Sequence, residues 1–256
     1  MNITPTVKQL LIINILFFIG SQIIEDAAYD YLSLFFFENN KFQFWQPLTH
    51  MFMHAEVYKG NSSNIMHIAF NMFALYSFGS TLEHFWGGKK FLFFYVSCGL
   101  GAALVHTLSN YYFFENGLSS LLSQGYSKVE VLSVLNGKNN QQLIAILNSE
   151  EYRNFVGSYA FPAVGASGAI YGLLVAFAFM FPNAELALMF IPIPIKAKYF
   201  VPIFMLLYDG FFGIFGNSFL GIGSGVAHFA HIGGALFGFM MMWYWKKNQF
   251  NKNRWN

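Results

Sequence analysis

The hydrophobic positions of this chain come in long blocks, not in the short alternation of a half-buried strand. Six blocks stand out, at about 7–25, 64–84, 90–110, 161–181, 199–220 and 225–246. Each approaches the ~20 residues that a helix needs to cross the hydrocarbon core of a bilayer. The first block ends at Glu25 and Asp26, lacks a small-x-small cleavage site and has only Lys8 as a positive flank. It reads as a retained helix rather than a signal peptide. Asp209 and several glycines interrupt the fifth, which is the weakest of the six. The pattern predicts an all-α, polytopic membrane protein with six transmembrane helices.

Between the third and fourth blocks, at about 111–160, the chain turns rich in Asn, Ser, Gln and Glu. Apolar residues recur there at helical spacing, in Val129, Val131, Leu132, Val134 and Leu135 and again in Leu143, Ile144 and Ile146. The segment reads as a polar insertion of short amphipathic helices in a single membrane domain spanning 1–256. A loop without a role fits the same composition equally well.

Composition agrees with the blocks. The chain is 55% hydrophobic and 20% aromatic, and only 10% of its residues are charged. A soluble domain carries about 25% charged residues. The formal net charge of +2 gives no reason to expect a nucleic-acid partner. The single cysteine, Cys98, lies inside an apolar block and reads as a packing residue.

Charge sets the expected orientation. With six spans both termini share one side. That side holds Lys8, Lys89, Lys90, Lys196, Lys198, Lys246, Lys247, Lys252 and Arg254, all in short loops and tails. The other side holds fewer, Lys41, Lys59, Lys128, Lys138 and Arg153, spread over long segments. The positive-inside rule puts both termini in the cytoplasm, and a bacterial inner membrane is the expected setting.

Polar side chains inside a membrane are costly and are functional candidates by default. His67 and Asn71 stand four residues apart in the second block, on one helix face. The fourth block carries Gly165-Ala166-Ser167-Gly168, and the sixth carries His231. A serine hydroxyl attacks an amide only if a base takes its proton, and a neutral imidazole can do so. The oxyanion that forms needs fixed donors. Asn71, His67 and the backbone N–H of Ser167 are the candidates.

Small residues predict close helix contact. Gly165, Ala169, Gly172 and Ala176 form one stripe, and Ala227, His231, Gly234 and Gly238 form another at the same spacing. Such stripes let helix backbones approach in lipid. Tyr171 lies one turn beyond Ser167 and is placed to hold the imidazole from beneath. Gly-x-Ser-Gly alone is weak, because small residues are common at helix contacts. A lone intramembrane histidine is stronger, but it could simply hydrogen-bond a neighbouring carbonyl. Ser and His on two small-faced helices, with a His/Asn pair on a third, form a set that packing alone does not explain.

Those residues resemble the rhomboid intramembrane proteases. The family's Gly-x-Ser-Gly appears as Gly165-Ala166-Ser167-Gly168, and its Ala-His-x-x-Gly as Ala230-His231-Ile232-Gly233-Gly234. Its His followed four residues later by Asn appears as His67 and Asn71, and its tyrosine beneath the histidine as Tyr171. The run from Trp45-Gln46 through His50 to His54 is similar to the family's first loop, and Glu83 to the glutamate closing its second helix. Three departures stand out: Gln46 in place of arginine, a longer stretch from His54 to His67, and the 111–160 insertion.

The resemblance implies a six-helix rhomboid-like bundle acting as an intramembrane serine endopeptidase. Its implied nucleophile is Ser167 and its base His231, with Asn71 and His67 at the oxyanion and Tyr171, Gly165 and Gly234 in support. It implies transmembrane protein substrates, no cofactor, no metal and a site opening to the outer side. The spacing of His50 and His54 could suit zinc on a helix. No HExxH glutamate accompanies them, and structural hydrogen bonding is the preferred reading. His228, one turn from His231, is the rival base. The alternatives are a non-catalytic rhomboid-like binder of membrane clients and a small transporter. The first is disfavoured by the presence of both Ser167 and His231, the second by the lack of inverted repeats.

Overall fold

The computed structural model describes residues 2–57, 64–137, 147–188, 191–204 and 226–248. Helix α1 covers Pro5–Ile24 and α2 covers Asp26–Leu32. A short helix, α3, at Gln46–Thr49 runs into a 3-10 turn at His50–Phe52. Helix α4 spans Ile65–Trp86, with a π turn at Leu75–Gly79. Helix α5 runs over Gly88–Ser123, α6 over Lys128–Asn136 and α7 over Ser149–Ala160. Helix α8 covers Ser167–Met180. A hairpin of β1, Glu185–Leu188, and β2, Ile191–Lys196, leads into α9, Ala197–Phe204. Helix α10 covers Val226–Asn248.

Three of these, α1, α4 and α5, are long and apolar enough to cross a membrane. Their packing inverts that of a soluble protein. On α1 the buried residues include Asn14 and Ser21, whereas Leu16, Ile19 and Ile23 are exposed. Phe73 on α4, Phe93 on α5 and Trp243 on α10 are more than half exposed. Apolar surface on this scale requires hydrocarbon or a partner around it.

The fourth block differs from its expected bounds of 161–181. Its helix has 14 residues and starts only at Ser167. At 1.5 Å per residue that is about 21 Å, short of the ~30 Å hydrocarbon core. Residues 161–166 are not helical because Pro162 lacks an N–H and Gly165 has φ near +123°, outside the helical region. Leu34 and Ala163 instead exchange backbone hydrogen bonds, at 3.0 and 2.9 Å. Of the fifth block only the start, in α9, is described; Asp209 lies outside the described residues. The β1–β2 hairpin was not foreseen. Its register pairs Glu185 with Lys196 and Leu186 with Ile195.

The composition change at 111 is not a helix boundary, since α5 continues to Ser123. Helices α6 and α7 follow it, each opened by a capping box, Ser127 with Glu130 and Asn148 with Glu151. Their apolar faces join α5 in one cluster that includes Phe114, Leu118, Val131, Leu135, Phe155 and Tyr159. Leu143, Ile144 and Ile146 lie outside the described residues. This unit is tied to the segment between α2 and α3. Lys128 pairs with Glu38 at 2.7 Å, and Asn39 Nδ2 donates to the Tyr159 carbonyl at 2.7 Å.

At the opposite end of the bundle, Glu83 of α4 accepts from the backbone N–H groups of Thr6 and Val7, at 2.9 and 2.8 Å, and from the Thr4 hydroxyl. A carboxylate there satisfies first-turn amides of α1 and complements its dipole. Lys90 lies over the Trp245 ring at 4.1 Å, which fastens the start of α5 to the end of α10.

Candidate active site

Helices α8 and α10 cross where neither has a side chain. A Cβ on Gly234 would overlap the Gly168 carbonyl, and a Cβ on Gly238 would come within 2.7 Å of the Gly172 Cα. Any larger residue would push the helices apart. The α8 side of this contact is Gly168 and Gly172, and Gly165 is not part of the stripe expected from spacing. Gly165 precedes the helix and serves a different purpose. Its φ suits glycine, and a Cβ there would lie 3.1 Å from His67 Cε1. Ala227 falls among residues whose side chains are not described.

The close crossing brings Ser167 to His231. Ser167 Oγ lies 2.8 Å from His231 Nε2, so the hydroxyl can donate to the ring. Tyr171 stacks on His231, with centroids 4.3 Å apart and planes 8° from parallel. Tyr171 is one turn along α8 from Ser167, so one helix face supplies both the hydroxyl and the surface that fixes the ring. His228 meets His231 edge-on at 6.2 Å.

Ser167 is the first residue of α8, after Ala166 as N-cap. Its backbone N–H therefore has no intrahelical acceptor. The first loop closes over this turn, and the Gly165 N–H donates to the His50 carbonyl at 2.9 Å. A cavity of about 220 Å³ remains, lined by His50, His67, His106, Ala163, Ser167 and His231 among others. At about 30 Å³ per water it has room for several. Phe161, 60% exposed, also lines it.

Asn71 is placed differently from His67. Its Nδ2 donates to the His67 carbonyl at 2.6 Å, within its own helix. Its Oδ1 is buried without a partner, and Asn71 does not line the cavity. The amide keeps a second N–H that this bond does not use.

Several cavity and support residues were missed or misread in the sequence. His106 lies midway along α5. It is buried, lines the cavity and hydrogen-bonds Asn110 at 3.1 Å. Gln46 is fully buried. Its Oε1 accepts from the Phe35 N–H at 3.2 Å, and its Nε2 donates to the Lys41 carbonyl at 2.9 Å. The neutral amide thus knits the first loop without burying a charge. Asn14 was also missed, although a lone asparagine in an apolar block carries its own signal.

His50 and His54 do not converge. His50 Nδ1 donates to the Gln46 carbonyl at 3.0 Å, and His54 Nε2 pairs with Asn14 Oδ1 at 2.9 Å. Among the described residues no group of three His, Cys, Asp or Glu could hold a metal ion. Burial is the main cause that lowers His50 to about 4 and His54 to about 3; for His54 the nearby His67 adds to it. The unfolded value is about 6.5, so the unfolded chain binds more protons below that pH. The stability that neutral burial confers is complete above pH 6.5 and is lost as pH falls toward 4. At pH 5 the loss is on the order of 2 kcal/mol per histidine. The melting midpoint in detergent should therefore drop between pH 7 and pH 5. A midpoint flat across that range would contradict neutral burial of both rings.

With fold and geometry in place, comparison with known proteins identifies the class. A sequence model of the rhomboid domain matches residues 41–144 and 129–248. The chain belongs to the rhomboid family and is an integral membrane protein. It is 24% identical over 188 residues to Rhomboid protein 1, mitochondrial, of Saccharomyces cerevisiae. That alignment covers 71% of this chain but only 38% of the yeast protein.

Proposed function

We propose that this chain is an intramembrane serine endopeptidase that cuts transmembrane proteins through a Ser167–His231 dyad. The observation that carries the reading is the 2.8 Å approach of Ser167 Oγ to His231 Nε2 at the edge of a cavity that can hold water. Ser167 Oγ attacks the scissile carbonyl while His231 Nε2 takes its proton. The backbone N–H of Ser167, the His67 ring and the remaining Asn71 N–H stabilise the oxyanion. The resulting imidazolium protonates the leaving amine. A water deprotonated by the same ring then hydrolyses the acyl-enzyme, restoring both groups. Tyr171 holds the ring plane, Gly165 leaves room beside His67, and Gly234 permits the helix contact.

The short α8 fits this chemistry. A helix that begins part-way into the bilayer can place its first residue beside water admitted through the first loop. The full architecture proposed is six spans, with both termini cytoplasmic and the cavity on the opposite side, in a single domain with α6 and α7 in its insertion. A fluorophosphonate probe tests the assignment. Covalent labelling should occur on Ser167 and vanish in Ser167→Ala. A folded protein that resists labelling would point to a non-catalytic binder of membrane clients.

A further inference from the structure

The tautomer of His67 decides whether it can act as a donor, and the structure contains a device that fixes it. The Ala55 N–H donates to His67 Nδ1 at 3.3 Å. A neutral imidazole that accepts at Nδ1 must carry its proton on Nε2. Nε2 faces the Gly165–Ser167 turn: a Cβ built on Gly165 would lie 3.3 Å from Nε2 and 3.6 Å from Ser167 Oγ. The proton thus points to where negative charge would develop.

Side chains from α1 and α2 hold the peptide that makes this bond. The His54 carbonyl, on the peptide that carries the Ala55 N–H, accepts from the Tyr29 hydroxyl at 2.6 Å. The His54 ring donates from Nε2 to Asn14 Oδ1 at 2.9 Å. Asn14 cannot flip without loss, since its Nδ2 donates to the Leu10 carbonyl at 2.8 Å. On the far side, the Val57 N–H donates to Gln22 Oε1 at 2.7 Å, and Gln22 Nε2 donates to the Tyr29 oxygen at 3.0 Å. Ala55 is held from both directions. Asn14 is completely buried with its oxygen and nitrogen both hydrogen-bonded, and His54, equally buried, is tied through Nε2.

We propose that Asn14, Tyr29 and Gln22 are positioning residues for the reaction: they hold the Ala55 N–H on His67 Nδ1 and so keep His67 as an Nε2–H donor toward the oxyanion. The proposal rests on the Ser167–His231 reading. It adds that helix α1, which contributes no reacting group, helps to set the protonation geometry of the site.

The test uses the full chain in detergent with Tyr29→Phe, which deletes one hydroxyl, and Asn14→Leu, which removes the acceptor at similar volume. Nitrogen NMR of the histidine rings should find the His67 proton on Nε2 in the parent protein and a shifted tautomer balance in both variants. Turnover of a transmembrane substrate should fall roughly tenfold with KM unchanged. In a His67→Ala background the same substitutions should cause no further loss, because the group they position is gone. Asn14→Asp, which keeps an acceptor, should recover most of the turnover lost in Asn14→Leu. Equal losses with and without His67, unchanged turnover in folded variants, or a His67 proton found on Nδ1 would overturn the proposal. Failure of the dyad reading looks different: the parent protein would neither label nor cleave, while the tautomer measurement would still report on the clamp.

Discussion

Replacing Ser167 by alanine should lower cleavage of a transmembrane substrate by on the order of 10³-fold or more while leaving the protein folded. The change deletes one hydroxyl from a half-buried position and adds no bulk. The hydrogen bond lost, to His231 Nε2, contributes about 1 kcal/mol to stability, so the melting midpoint should move by only a few degrees. His231→Ala should reduce cleavage to a similar degree, because nucleophile and base act on the same step. Their losses should not add, and Ser167→Ala/His231→Ala should be no slower than either single variant. His231→Ala should cost more stability than Ser167→Ala, since it also removes the ring stacked on Tyr171. His228→Ala should retain most activity. The decisive comparison is between the two histidines: a folded His228→Ala that is inactive beside an active His231→Ala would transfer the base to His228.

His67→Ala should lower turnover by roughly 10²- to 10³-fold, the usual consequence of removing one oxyanion donor, with KM changed far less. An oxyanion donor is needed chiefly once charge develops on the carbonyl oxygen, so the loss belongs to kcat. Asn71→Ala should act in the same direction but less severely, because one of its two Nδ2 hydrogens is already engaged with the His67 carbonyl. The competing account makes Asn71 a purely structural group. On that account Asn71→Ala lowers the melting midpoint and leaves turnover of the folded protein unchanged. Steady-state kinetics and a melting curve on the same preparation separate the two.

The helix positions were legible because apolar block length is a local property, readable without a fold. The blocks expected at 7–25, 64–84 and 225–246 correspond to Pro5–Ile24, Ile65–Trp86 and Val226–Asn248. The residues of the candidate site were legible for a related reason. A serine, two histidines and an asparagine amid phenylalanine and leucine are conspicuous, since hydrocarbon penalises every polar group without a purpose. The pairing of Ser167 with His231 was also suggested by their small-residue surroundings.

What the tertiary structure decided depends on contacts between distant parts of the chain. Hydropathy alone runs the fourth block from 161, but the exchange of backbone bonds between Leu34 and Ala163 keeps the chain there out of the helix, which begins only at Ser167. The stripe on α8 is Gly168 and Gly172, because Gly165 lies outside the helix. Helix α5 overruns the polar composition change at 111 because Phe114, Leu118 and Leu121 find cover against α6 and α7. The service of Asn14, Tyr29 and Gln22 to the first loop could not be read in advance, since it requires α1 to lie beside residues some forty positions later. The sequence by itself determined which segments are apolar and which reactive side chains interrupt them, because both are properties of single residues and their near neighbours. Only the folded chain determined where each helix starts, which side chains line the cavity and which backbone N–H meets the His67 ring, because those depend on groups brought together from far along the chain.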